Sequence, residues 1–102
     1  MPTLTPEAAE KLAGALLQGA GASEEEATIV ARHCINANLA GHDSHGIIKI
    51  PDYIASVKKG HVVPGAPYEV VSESATTTVV DGNWGFGYTV TERAAAATIE
   101  KA

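Results

Sequence analysis

Apolar residues recur at helical spacing over residues 1–60 and give way to β-branched runs after them. In the opening segment Ala8, Leu12, Ala15 and Leu16 share one helix face. Thr5 can cap this helix, Pro6 suits its first position, Glu7 complements the dipole, and Gly19-Ala20-Gly21 supplies a stop. A second helix is predicted from Ser23, because Ser23 and Glu26 have capping-box spacing and Glu24, Glu25 and Glu26 fill the first turn. Its buried stripe is expected to be Ala27, Val30, Ala31, Cys34 and Ala37, with Gly41 as terminator. The third helical pattern runs over 44–59, with Ile47, Ile50, Ile54 and Val57 on one face and Lys58, Lys59 and Gly60 closing it. Pro51 interrupts that pattern and clashes with the carbonyl of Ile47 in a straight helix, so a kink or two abutting helices is expected there.

Residues 61–67 carry two prolines and a glycine and read as a surface connection. Residues 68–72 and 76–81 read as two short strands turning at Glu73-Ser74-Ala75. A glycine-punctuated turn over 81–87 follows, and Thr89 and Glu92 have the spacing of a capping box for an alanine-rich last helix. The fold class is therefore α+β. An N-terminal helical subdomain of about three helices is expected over 1–60, then a connection, strand pair and C-terminal helix over 61–102.

With 102 residues, 45% of them hydrophobic, the chain can bury one modest core but not both a cofactor fold and a substrate domain. The last helical pattern shows no stop signal, so a piece of a longer protein is the expectation. A net charge of −5 argues against a nucleic-acid partner. No apolar run reaches the roughly 18–20 residues that cross a bilayer, and residues 1–5 lack the start of a signal peptide. A soluble cytoplasmic protein is expected. Cys34, the single cysteine, can form neither an internal disulfide nor a thiolate metal site and is expected in the core.

Two clusters could carry chemistry. Gly82, Gly85 and Gly87 run G-x-x-G-x-G, the reverse of a dinucleotide fingerprint, and no βαβ unit surrounds them; a tight turn is the better reading. Trp84 and Phe86 in that turn read as core anchors or contact residues. The second cluster is Gly41-His42-Asp43-Ser44-His45-Gly46 with Lys49 and Tyr53. If one helix ran through it, His45, Lys49 and Tyr53 would lie four apart, drifting about 80° round the axis, beside the isoleucine face. An imidazole can move a proton to or from a carbonyl or hydroxyl oxygen while an ammonium and a hydroxyl hold an anionic substrate, which suits 2-oxo-acid reduction. The alternative is a capped helix start with His45 solvated and Lys49 and Tyr53 snorkelling from the surface. Zinc at His42, Asp43 and His45 lacks a fourth ligand, and no metal is expected. His33 and His61 have no evident partners.

The run Asn38-Leu39-Ala40-Gly41-His42-Asp43-Ser44-His45-Gly46, continuing to Pro51-Asp52-Tyr53, resembles the N-terminal part of the malate/L-lactate dehydrogenase family that lacks a Rossmann fold. So do the Asp81-Gly82 turn and the alanine-rich helix ending Ile99-Glu100-Lys101-Ala102. The wording of the motif is most like the bacterial hydroxycarboxylate dehydrogenase branch. The resemblance implies a piece of a larger non-Rossmann α/β dehydrogenase, an NAD- or NADP-dependent enzyme interconverting 2-oxo and 2-hydroxy acids, and a homodimer. It places the family's active-site Ser-His pair on Ser44 and His45, with His45 where substrate and nicotinamide meet. It assigns Tyr53 to substrate binding and Lys49 to the position where many members carry arginine. As the competing class, a non-catalytic helical interaction or dimerisation module is also compatible with these residues.

Overall fold

Thr5 Oγ1 accepts from the Ala8 N–H at 3.1 Å and opens α1, Pro6–Gly19. A computed structural model describes residues 3–102; Met1 and Pro2, which belong to the stretch read for a signal peptide, lie outside them. The second helix, α2, spans Glu24–Leu39 behind the complete Ser23/Glu26 capping box. Two 3-10 turns, Asp43–His45 and Ile47–Lys49, lead into α3, Ile50–Lys58. Strands β1, Glu69–Glu73, and β2, Thr78–Asp81, pair antiparallel with an irregularity between Val70 and Ser72, and α4, Gly87–Lys101, follows.

The expected α+β class and helix order hold, but the buried face of α1 is shifted by one position. Ala9, Ala13 and Leu17 are buried, whereas Leu12 and Leu16 remain 47% and 46% exposed. The short side chains of Ala9 and Ala13 let α1 approach α2 closely, and Leu17 supplies the bulk at the crossing. On α2 the stripe Ala27, Val30, Ala31 and Cys34 is buried as expected; Ile29 and Ile35 are buried outside this cluster, and Ala37 is half-buried. Ile50 of α3 and Phe86, just before α4, complete this core, with Ile47, Ile54 and Val57 packed against it.

Three helices end in the same local motif. Gly21, Gly41 and Gly60 take φ of +111°, +86° and +79°, and the residue after each closes back onto the helix: Ala22 to Leu17, His42 to Ala37 and His61 to Ser56. Glycine adopts this left-handed backbone without a Cβ penalty.

The third helix departs from the expectation. The break falls at Gly46, and Pro51 sits within the first turn of α3, where its missing N–H has no helical partner to lose. The strands begin one or two residues later than the pattern suggests, because a Ser74–Thr77 turn closes the hairpin: Ser74 N–H donates to the Thr77 carbonyl at 2.8 Å and Ser74 Oγ lies 2.7 Å from Thr77 Oγ1. The Thr89/Glu92 capping box does not form. Helix α4 starts at Gly87 without a side-chain cap, and Glu92 turns instead to α2.

Two carboxylates, Glu26 and Glu92, hold contacts across residue 60. The buried Glu26 carboxylate accepts from Ser23 N–H at 3.1 Å and, with both oxygens, from Gly65 N–H at 2.9 Å. Arg32 of α2 donates to Glu92 of α4 at 2.7 Å. At its far end α4 is held to the hairpin by Lys101, 3.0 Å from Glu73. Among the described residues no helix is long and apolar enough to cross a membrane.

Candidate active site

The Gly41 turn at the end of α2 throws the chain into the Asp43–His45 turn, so the reactive residues sit at a helix end rather than inside a helix. His45 N–H donates to the His42 carbonyl at 2.9 Å, Gly46 N–H to Asp43 at 3.2 Å, and Lys49 N–H to Gly46 at 3.0 Å. Ser44 and His45 are both exposed, with Ser44 Oγ 2.9 Å from His45 Nδ1. When the ring is protonated, Nδ1–H donates to Ser44 Oγ and Nε2–H is free to be given to an oxygen. A hydroxyl–imidazole pair on an exposed turn is therefore able to hold and transfer one proton.

Gly46 separates this pair from Lys49 and Tyr53, so the single helix face that would carry all three is absent. Lys49 Nζ lies 3.8 Å from Asp52 at the surface. Tyr53 turns inward, half-buried, with its hydroxyl 3.5 Å from that of Tyr88 and the two rings edge-on. Burial first, then the Tyr88 hydroxyl, pushes the Tyr53 phenol well above its ordinary range, so Tyr53 is a neutral hydrogen-bonding group at physiological pH. The Cys34 thiol is a further neighbour of this phenol and is itself pushed up by burial. Tyr53, Val62, Phe86, Gly87, Tyr88 and Thr91 line an open apolar cleft of about 400 Å³.

A second constellation is not legible in the sequence. His33 stacks on Tyr88 with ring centroids 5.0 Å apart and planes within 5°, and its Nε2 lies 3.0 Å from Glu92. Hydrogen bonds from His33 and then Arg32 hold the Glu92 carboxyl below its usual value. These partners are 59 and 60 positions apart, so no local spacing signals them.

The glycine turn behaves as its reversed order suggests. A Cβ on Gly82 would meet Val90 Cγ2 at 2.8 Å, and one on Gly85 would meet Ala66 Cβ at 3.3 Å. Gly82 lets α4 dock closely through Val90, and Gly85 lets the connection approach through Ala66. Asn83 and Trp84 both take positive φ beneath a Gly85-to-Gly82 bond of 2.9 Å. Phe86 is buried as an anchor, whereas Trp84 is 80% exposed.

A family model described as malate/L-lactate dehydrogenase matches residues 4–102. Hydroxycarboxylate dehydrogenase B of Escherichia coli K12 is 43% identical over 88 residues, 86% of this chain and 24% of that protein. L-sulfolactate dehydrogenase of Methanocaldococcus jannaschii is 39% identical over 99 residues, 97% of this chain and 29% of that one. Among solved structures, malate dehydrogenase from Pyrococcus horikoshii OT3 superposes with a TM-score of 0.96 at 28% identity, covering 99% of this chain and 29% of its own. The helices and strand pair are thus a piece of the fold seen in these dehydrogenases, and the chain spans about a quarter to three-tenths of the relatives' length.

Proposed function

Because this chain belongs to the malate/L-lactate dehydrogenase family, we propose that it supplies Ser44 and His45 to an oxidoreductase interconverting 2-oxo acids and 2-hydroxy acids with NAD or NADP. The observation that carries this reading is the 2.9 Å Ser44–His45 contact on an exposed turn. His45 donates its Nε2 proton to the carbonyl oxygen of the 2-oxo acid, which becomes the hydroxyl, and takes it back in the reverse direction. Ser44 Oγ accepts from Nδ1–H before and after the transfer, which fixes the ring and leaves Nε2 as the atom that changes protonation. When bound, the cofactor supplies or accepts the hydride at the carbonyl carbon.

The exposed His45 suits the reactive end of such a cofactor. At Gly82 and Gly85 the Cβ positions are occupied by Val90 and Ala66, which leaves no room there for its phosphates. Lys49 is read as a partner for the substrate carboxylate. Its pair with Asp52 is long and exposed, so exchange for a substrate anion costs little. Tyr53 contributes a neutral phenol as a hydrogen-bond donor. On this reading 1–60 carries the site and 61–102 leads toward the remainder of the family fold, a division of role across which Glu26 and Glu92 keep the parts joined. A homodimer belongs to the same reading, and the exposed Leu39 and Ile48 on either side of the turn support an apolar contact there.

His45→Ala in the full-length enzyme tests the assignment. Turnover of 2-oxo acids should fall by about 10²-fold or more, the usual weight of a general acid, while thermal stability changes little because the ring is exposed. Undiminished kcat would remove His45 from the chemistry.

A further inference from the structure

The geometry points to Asn38 as the positioning residue that sets the Ser44–His45 pair, an inference that rests on the reading of those two residues as the site. Asn38 lies in the last turn of α2, half-buried. Its Oδ1 accepts from the Ile47 N–H at 2.8 Å, and its Nδ2 donates to Asp43 Oδ1 at 2.9 Å. One amide thus grips the chain immediately before Ser44 and immediately after Gly46. A third observation comes from Gly46, which is buried and whose Cβ, if present, would collide with the Asn38 amide.

The chemistry of an amide explains why asparagine fits. It offers one acceptor and one donor on a rigid plane, and Ile47 and Asp43 present the complementary donor and acceptor. Aspartate at 38 would oppose a second carboxylate at Asp43, and glutamine would carry the plane one methylene too far. The turn is tied to the helix at its base as well, by His42 N–H on the Ala37 carbonyl at 2.8 Å. Ser44 and His45 stand on a segment whose two ends are fixed to one rigid element, with their side chains bonded to each other. Displacement of such a pair by about 1 Å is enough to cost about 10²-fold in rate.

A donor–acceptor swap in the full-length enzyme tests this. Asn38→Asp should move the His45 ring-nitrogen resonances in a ¹⁵N-histidine spectrum and lower kcat at least tenfold. Adding Asp43→Asn restores the pairing in reverse, since the carboxylate at position 38 then accepts from both the amide at position 43 and the Ile47 N–H. The double variant should recover the His45 resonances and kcat to within about twofold of the parent. Asn38→Asp with unmoved resonances would overturn the assignment. So would a double variant that regains its melting temperature but not the His45 resonances, because Asn38 would then be a structural tie only. Resonances that move and recover while turnover ignores both Asn38→Asp and His45→Ala would support the positioning and sink only the catalytic reading.

Discussion

Removal of the Glu26 carboxylate should destabilise this chain out of proportion to its neighbours. Glu26 is 8% exposed and accepts from Ser23 N–H at 3.1 Å and from Gly65 N–H at 2.9 Å through both oxygens. A hydrogen bond to a charged group contributes about 1.5–3 kcal/mol, and losing half of a capping box contributes about 0.5 kcal/mol more, because Ser23 Oγ still accepts from the helix. Glu26→Ala is therefore expected to cost about 2–3.5 kcal/mol. For a domain of this size that lowers the melting temperature by roughly 10–20 °C. Glu26→Gln keeps one oxygen able to accept and should lose about half as much. Thermal unfolding followed by circular dichroism at 222 nm reads the global effect, and amide exchange at Gly65 reads the local one. Glu25→Ala, on an exposed position of the same turn, should stay within about 0.5 kcal/mol of the parent. An equal loss in the Glu25 and Glu26 variants, or unchanged protection of the Gly65 amide, would refute the reasoning.

Two titrations give further checks. Because His33 and Arg32 hold the Glu92 carboxyl below its ordinary 4.5, the stability it contributes is complete above about that pH and is lost as pH falls through the lowered native value. Glu92→Gln should flatten the acid limb of the melting curve against pH, and an identical acid limb would show the cluster to be inert. Tyr53, raised above the ordinary phenol value of 10.0, should remain neutral there, its linked stability present below that pH and lost only as pH rises through the higher native value. The phenolate absorbance at 295 nm that disappears in Tyr53→Phe should titrate above pH 10; a midpoint at or below it contradicts the buried placement.

What is legible in the sequence is what is local. The caps at Thr5 and Ser23 and the stops at Gly21, Gly41 and Gly60 depend on residues within one helical turn, and each forms as its spacing implies. The phase of α1 is not legible, because an alanine-rich helix presents two faces and only the opposing surface of α2 selects Ala9, Ala13 and Leu17. The Ser44–His45 segment is visible as a motif, but its shape is not. The break at Gly46 is imposed by the Asn38 side chain reaching across from another element. Glu92 has the right spacing from Thr89 for a capping residue, whereas its real partners lie about sixty positions away on α2.

Helix α2 has a consequence for how such a protein can vary. Within two turns it presents Arg32 and His33 to α4, Cys34 to the neighbourhood of Tyr53, and Asn38 to the reactive turn. Each residue along a helix rotates the next by about 100°, so these contacts behave like lobes on one camshaft. A residue inserted between 34 and 38 would swing the Asn38 grip away from the turn and turn Ile35 or the residues after it out of phase. The connection over 61–67 is held at separate points instead, by Gly65 N–H on Glu26, Val63 N–H on the Trp84 carbonyl at 2.8 Å and Asn83 Nδ2 on the Pro67 carbonyl at 2.7 Å. Length is therefore the protected quantity in the helix.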